Sequence, residues 1–434
     1  MLSKLVCRAL DAQPLWMKER ERALTERVLR RPVDPRRPLE PGDVVVCGLM
    51  GTASGMGQGA RQMLSLFQHA GLRPFAANAS RLFALLEDFD AGPLWPPDAG
   101  AGGIVVAHVN PHDFHLLAAA LGRRFSSRRI VGYWAWELDV IPPQWIRAAV
   151  QVDEIWAPSQ FVAAALRRAL PGKPIHVAPH FIDVESTPLA PRNDPLPDFK
   201  DRTIVFFTYD VRSVHARKNP EAAIEAFRRA AADDPNAVLA IKISNSHAWP
   251  ESAALIQRAI SGLTNAHLMY ETLSVEQMRD LMARADIVLS LHRSEGFGLL
   301  LAEAMAAAKP VIATGWSGNL DFMTPDCSVL VDVTFVPIVD PQHVYDRCEA
   351  LWAEPDIDQA AKALRRLLDD SAARKRMGLA ARAHVAAFFS KEKWLARLPE
   401  SFWGSLADQS MRLGDDAASM AEKQRSNRSA MPRA

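Results

Sequence analysis

Cysteine is scarce in this chain: four residues in 434, at Cys7, Cys47, Cys327 and Cys348. Their spacing fits neither zinc-ligand pairs nor a disulfide framework, which excludes a stapled secreted scaffold and points to a reducing compartment. Charge of one sign is also lacking. Fifty-one Lys and Arg against 50 Asp and Glu leave a formal +1, too little for a nucleic-acid coat or a strongly acidic partner, so recognition has to be local. No apolar run reaches about 18 residues, the length a spanning helix needs. Lys4, Arg8 and Asp11 interrupt the first residues before a secretory core forms. The expectation is a cytoplasmic protein; the Arg- and Glu-rich helix near the N-terminus reads either as a solvated helix packing on the first domain or as a membrane-surface helix that gives peripheral contact at the inner face.

What the chain does carry is two successive sets of short apolar strands separated by helical patterns. Residues 44–49, 104–109, 130–134, 154–157 and 175–178 form the first set, and 203–208, 237–243, 267–270, 286–291 and 310–313 the second. Such runs between helices predict parallel sheets. Pro188, Pro191, Pro195 and Pro197 break the pattern between the sets and mark a linker. The expected class is α/β, with two Rossmann-like doubly wound parallel-sheet domains facing a cleft. The expected divisions are an N-terminal helical extension over 1–40, a first domain over 41–187, a linker over 188–202 and a second domain over 203–386. A helix over 387–406 packing back on the first domain and a disordered polar tail over 407–434 complete the chain.

The densest chemistry lies in Ser294-Glu295-Gly296-Phe297-Gly298-Leu299-Leu300-Leu301-Ala302-Glu303. A buried strand precedes it and an Ala-rich helix follows, so the glycines fall at a turn whose backbone N–H groups face a ligand. Two carboxylates make little sense around phosphate alone, but they suit a ligand that also offers hydroxyls, such as a nucleotide sugar. Arg217 and Lys218, after the first strand of the second set, supply cations able to neutralise a diphosphate and stabilise its departure. A second glycine cluster, residues 48–59, follows the first strand and opens a helix. It reads either as a tight turn or as a loop that brings Gly57 close to an anion or sugar. It lacks the Lys-Ser/Thr ending of a phosphate loop, and no acidic ribose ligand follows near residues 76–81.

Together these segments resemble the retaining family-4 glycosyltransferases of the two-domain GT-B fold. The resemblance covers about 44–403 and rests on the Glu295-to-Glu303 spacing, on Arg217-Lys218-Asn219-Pro220 and on Thr314-Gly315-Trp316-Ser317-Gly318-Asn319. Gly132-Tyr133-Trp134-Ala135-Trp136-Glu137-Leu138 and Glu154-Ile155-Trp156-Ala157-Pro158-Ser159 are similar to a bacterial glycan-assembly branch. The resemblance implies that Glu295 approaches donor-sugar hydroxyls and that Glu303 binds ribose. Backbone groups of Gly296, Phe297, Gly298 and Leu299 then approach the sugar and phosphates, and Tyr270 and Leu273 flank the base. Gly57 is placed with this donor set, and Arg217, Lys218 and Glu295 form the expected catalytic set.

The acceptor is expected on the first domain, beside His108, Trp134, Trp136 and Glu137. Many relatives carry an acceptor-side His where this chain offers Trp and Glu137, which fits substrate-assisted chemistry in which a departing phosphate oxygen takes the acceptor proton. His108, His112 and His115 invite a metal reading, but Pro111 separates the first from the helical pair and no carboxylate set completes the site. Asp88-Phe89-Asp90 reads as a solvated turn, and no Ser or Cys triad is evident. The expectation is a metal-independent retaining hexosyltransferase with no cofactor, acting between a nucleotide diphosphate sugar and a glycan or lipid-linked acceptor in bacterial surface polysaccharide synthesis. Mannose is the first expectation for the sugar. A nucleotide-sugar epimerase and a noncatalytic glycan-binding or assembly protein remain as alternatives, and nothing in the sequence indicates an oligomeric state.

Overall fold

The computed structural model describes residues 27–30, 32–83, 90–271, 273–345 and 349–406. It divides into two compact units. The described residues up to Ala135, Ile141–Phe181 and those from Lys391 onward form the first; Trp136–Val140 and Ile182–Ser390 form the second. The proposed N-terminal helix up to residue 26, the polar tail, and all but Asp90 of the Asp88-Phe89-Asp90 turn lie outside the described residues, as do Cys7 and Cys348.

The first unit is built on six parallel strands: β1 (Val44–Gly48), β2 (Phe75–Asn78), β3 (Ile104–His108), β4 (Arg129–Tyr133), β5 (Glu154–Ala157) and β6 (Ile175–Val177). Their order is β2-β1-β3-β4-β5-β6. The chain therefore reverses direction across the sheet between β1 and β3, which puts the loops after those two strands at its topological switch point. β1 (VVVCG) and β3 (IVVAH) are buried throughout, because helices cover both faces and leave no polar side for alternation. Residues from Lys391 onward supply Trp394, Leu395, Leu398 and Phe402 to this core, where Phe67 packs against Trp394 and Phe402.

The second unit continues with β7 (Thr203–Asp210), β8 (Ala237–Ser244), β9 (Ala266–Met269), β10 (Ile287–Ser290), β11 (Val311–Thr314) and β12 (Val329–Val331), in the order β12-β11-β10-β7-β8-β9. Alternate residues of β7 feed different cores. Ile204 and Phe206 join Val238, Leu301, Met305 and Phe389 on one face; Val205, Phe207 and Tyr209 join Ile224, Phe227, Leu239 and Leu364 on the other. Both clusters are apolar, so β7 reads as an unbroken hydrophobic run. Ile182, Val184 and Leu196 also belong to this unit's core. Its switch point lies between β7 and β10, which pair in parallel through Ile287 with Val205 and Val288 with Phe206.

The expected strands appear with ends shifted by a residue or two, and the α/β class of two Rossmann-like units holds. Two short parallel strands, β2 and β12, escaped the sequence reading; both carry partly exposed residues and lack a sustained apolar run. So did the antiparallel hairpin β13 (Val333–Pro337) and β14 (Leu351–Pro355). Among the described residues no helix is long and apolar enough to cross a membrane.

Candidate functional site

At the second unit's switch point the loop after β7 meets the turn after β10. Arg217 and Lys218 end a short helix (His215–Lys218), closed by Asn219 in the left-handed conformation at φ 53°. Asn219 donates to Glu354 on β14 at 3.3 Å, and Glu354 also receives Arg293 Nε at 2.6 Å. The hairpin that the sequence did not reveal thus fixes the shape of the basic loop.

Across the switch point, Arg217 is buried and its Nε and Nη1 donors are committed. Nε donates to the Ser213 carbonyl at 3.1 Å and Nη1 to the Ser294 carbonyl at 2.7 Å, while Nη1 lies 3.3 Å from Glu295 Oε2. Lys218 is more exposed, with a fifth of its side chain accessible, and its ammonium is bonded to Glu295 Oε1. Burial by itself would raise the Glu295 pKa, but Lys218 and Arg217, followed by His292, overcome it and hold the carboxyl at about 2. Glu295 is therefore ionised at any physiological pH. For Arg217, burial disfavours the charge, yet Tyr345, Glu295 and Glu137 raise its pKa above the usual range.

The turn itself depends on glycine. A side chain at Gly318 would place Cβ 2.3 Å from the Gly296 carbonyl oxygen, and one at Gly296 would meet the Trp136 carbonyl at 2.9 Å. Gly298 has φ +90° and caps the helix Leu299–Ala306. Glu295 N donates to Ser317 Oγ at 2.8 Å, and Gly318 N donates to the Glu295 carbonyl at 2.9 Å. Phe297 faces inward, 4 % exposed against Phe322 and Phe389, so its ring anchors the turn in the core. Leu299, the first helical residue, is half-buried on the same core, and Glu303 stands half-buried in the second turn.

Behind Glu295 lies His292, fully buried at the end of β10. Asn319 Nδ2 donates to the Thr314 carbonyl at 3.0 Å, which turns Asn319 Oδ1 toward His292 Nε2 at 3.2 Å. His292 Nε2 is then the donor, and Nδ1 accepts from Ser290 Oγ at 3.2 Å. Burial, first, and the nearby cations depress its pKa to about 4, against the pull of Glu295, so the ring is neutral.

Of the residues expected on the acceptor side, Trp136 and Glu137 belong to the second unit. The Glu137 carbonyl accepts from Ser294 Oγ, its Oε2 accepts from the Tyr345 hydroxyl at 3.1 Å, and its Oε1 lies 3.8 Å from Arg217 Nη2. Trp136 packs on Tyr345 with ring centres 5.4 Å apart. Trp134, expected beside the acceptor, has no accessible surface: it lies edge-on to Trp145 in the first unit, over Gly132. His108 is equally buried, stacked on Tyr133 at 4.0 Å with Nε2 3.3 Å from Met63 Sδ. Burial, and then His180, push its pKa well down. Both side chains are core residues, because the apolar ends of β3 and β4 are covered by helices.

Gly57 also belongs to the first unit. Its N–H donates to Ser54 Oγ at 3.2 Å, capping the helix Gly55–His69, and a Cβ there would fall 2.4 Å from the Leu49 carbonyl oxygen. Close packing of helix on loop thus requires this glycine. Tyr270 is exposed just after the edge strand β9, and Leu273 packs on the second unit's core. Among the described residues no group of three or more His, Cys, Asp and Glu is placed to hold a metal ion. Sequence reading missed Tyr345 and His292. Tyr345 is 208 residues from Glu137 and has no motif, whereas His292, three residues before Glu295 at a strand end, carried a usable signal.

Residues 197–334, which hold Arg217, Lys218, Glu295 and Glu303, match the family model for glycosyl transferases group 1. A GDP-mannose-dependent monoacylated alpha-(1-6)-phosphatidylinositol monomannoside mannosyltransferase of Corynebacterium glutamicum is 27% identical over 183 residues. That match spans 41% of this chain and 41% of the relative's length. Among solved structures, Anabaena HepE in complex with UDP-glucose aligns with a TM-score of 0.61 at 13% identity, covering 84% of this chain and 100% of that one. Sucrose-phosphate synthase from Thermosynechococcus elongatus aligns with a TM-score of 0.55 at 17% identity, covering 90% and 100%. At these identities the structural likeness establishes the fold, two Rossmann-like units of the GT-B type.

Proposed function

We propose that this protein is a glycosyltransferase that moves a hexose from a nucleotide diphosphate sugar to a glycan or lipid-linked acceptor. The observation that carries the reading is the Lys218–Glu295–Arg217 cluster at the switch point of β7 and β10, inside the segment that matches the group 1 model. In this reading Lys218, the more exposed cation, meets the diphosphate and stabilises its developing charge as the glycosidic bond breaks. Arg217 holds Glu295 and the Ser294 carbonyl in place, and Glu295, ionised and acceptor-only, takes hydrogen bonds from donor-sugar hydroxyls. Glu303 accepts from ribose, and Tyr270 and Leu273 flank the base.

Retention of the anomeric configuration without a metal, with a departing phosphate oxygen taking the acceptor proton, completes the proposal. Mannose from a GDP-linked donor is the first choice, supported by the GDP-mannose dependence of the Corynebacterium relative. We place the reaction in bacterial surface polysaccharide synthesis, at the cytoplasmic side and with peripheral membrane contact through a lipid-linked acceptor.

The test is a panel of GDP- and UDP-sugars with and without a membrane lipid extract, measuring released nucleotide and labelled product. Acceptor-dependent release of nucleotide, fastest with GDP-mannose, is the expected result. Sugar isomerisation without release would make the protein an epimerase, and no donor binding across the panel would make it a noncatalytic binding protein.

A further inference from the structure

The cations of the cluster are already neutralised. Arg217 and Lys218 face two carboxylates, Glu295 and Glu137, and His292 beside them is uncharged. Arg217 has spent Nε and Nη1 on the Ser213 and Ser294 carbonyls, so Nη2 is its remaining edge, and that edge faces Glu137 Oε1 at 3.8 Å. The distance exceeds a hydrogen bond, so the contact is one of charge. Glu137 is built in rather than adventitious. Its other oxygen receives the Tyr345 hydroxyl at 3.1 Å, its carbonyl receives Ser294 Oγ, and the preceding Trp136 carbonyl fills the space that Gly296 leaves open. Tyr345 is 3 % exposed, wedged between Trp136 and Trp352. Burial, and then Glu137, keep its hydroxyl protonated, so it is the donor in this pair.

We infer that Glu137, held by Tyr345, is a specificity-determining residue: a counter-anion on Arg217 that limits how much negative charge the site accepts. The inference rests on the reading of the Arg217–Lys218–Glu295 cluster as the diphosphate site, in which Lys218 meets the phosphates and Arg217, behind it, adds its charge. A nucleotide sugar brings a diphosphate with one negative charge fewer than the free nucleoside diphosphate it leaves behind. It also brings hydroxyls that satisfy Glu295, which the product lacks. A fixed carboxylate on Arg217 therefore repels the product more than the donor, favouring release after transfer and opposing rebinding.

Inorganic pyrophosphate isolates the charge term from any glycosyl chemistry. Glu137→Gln keeps the size and an acceptor for the Tyr345 hydroxyl while removing the charge. By calorimetry on the full chain, it is expected to tighten pyrophosphate binding about tenfold over the starting protein. Tyr345→Phe, which frees Glu137 to swing away, should tighten it about threefold, and the double variant should bind no tighter than Glu137→Gln alone. With nucleotide substrates, Glu137→Gln should lower the product inhibition constant several-fold more than the donor KM, a split that a merely structural role would not produce. Unchanged or weaker pyrophosphate binding by a folded Glu137→Gln overturns the inference, as does absence of pyrophosphate binding in both proteins. Should Glu137→Gln fail to fold, unchanged affinity in Tyr345→Phe overturns it. If the pyrophosphate contrast holds and no sugar is transferred, the inference stands and the glycosyltransferase reading falls.

Discussion

The guanidinium of Arg217 donates to the Ser294 carbonyl at 2.7 Å, stapling the loop after β7 to the turn after β10 across the switch point of their sheet. Lys218, the next residue, is bonded to the side chain of Glu295, the residue after Ser294. Two adjacent cations thus differ in setting: Arg217 is interior and ties the two loops together, whereas a fifth of the Lys218 side chain is exposed.

Arg217→Ala is expected to cost about 3–5 kcal/mol of stability, because it strands Glu295 in a buried setting and removes the staple. Lys218→Ala should cost about 1–2 kcal/mol, since Arg217 still faces Glu295. Yet Lys218→Ala should lower transfer about 100-fold or more, as expected for a group that stabilises a leaving diphosphate. Thermal unfolding and kinetics on the two variants check the division. Equal losses of stability would refute it, and unchanged transfer by a well-folded Lys218→Ala would remove that residue from the mechanism.

Glu295 gives the second unit a signature in acid. Its pKa is depressed in the folded protein, to about 2 from an ordinary 4.5, so its stabilising contribution is complete above pH 4.5 and is lost as the pH falls toward 2. Glu295→Gln lacks this term. The stability gap between the two proteins, about 3 kcal/mol near neutrality, should narrow below pH 4.5 and close near pH 2 in urea titrations. A gap independent of pH would contradict the ion cluster.

His292 acts at a higher pH. Its folded pKa is lowered from 6.5 to about 4, so a protein holding it neutral is at full stability above pH 6.5. It then loses about 3 kcal/mol as the pH falls to 4, where the unfolded chain takes up the proton first. His292→Asn should flatten the second unit's stability across that window. If melting curves of the variant keep the original acid slope, other groups are responsible.

Gly318→Ala should lose both stability and donor binding. The added Cβ would sit 2.3 Å from the Gly296 carbonyl oxygen, a backbone atom that cannot swing aside. A destabilisation of about 2 kcal/mol or more is expected from such overpacking, with nucleotide affinity falling because the displaced turn carries Glu295. Retained affinity with full stability would show that the turn relaxes elsewhere.

Much of the cluster at the second unit's switch point was legible in the sequence. Glu295, Gly296 and Gly298 fall between an apolar strand and an Ala-rich helix, and that local grammar places them on a turn at a strand's carboxyl end. The Arg217-Lys218 pair was legible for the same reason, although its division of labour was not, since adjacent residues share a loop and differ only in which way they face. Trp134 and Trp136 make the complementary case. Two residues apart in one apolar motif, they end in different units, one sealed over Gly132 and the other packed on Tyr345. Periodicity cannot distinguish an aromatic that fills a core from one that lines a site, because both occupy the same kind of apolar position.

By itself the sequence determined the two α/β sets, the strand-to-helix turns and the residue types able to meet phosphate and hydroxyl groups. All of these follow from local pattern and from the need to bury both faces of a parallel sheet. Only the tertiary structure decided the charge balance. Glu137 reaches Arg217, Tyr345 reaches Glu137, and Glu354 pins Arg293 and Asn219, over separations of 61 to 208 residues. Coulomb and hydrogen-bond energies depend on distances of a few ångströms, which chain folding sets and sequence spacing does not.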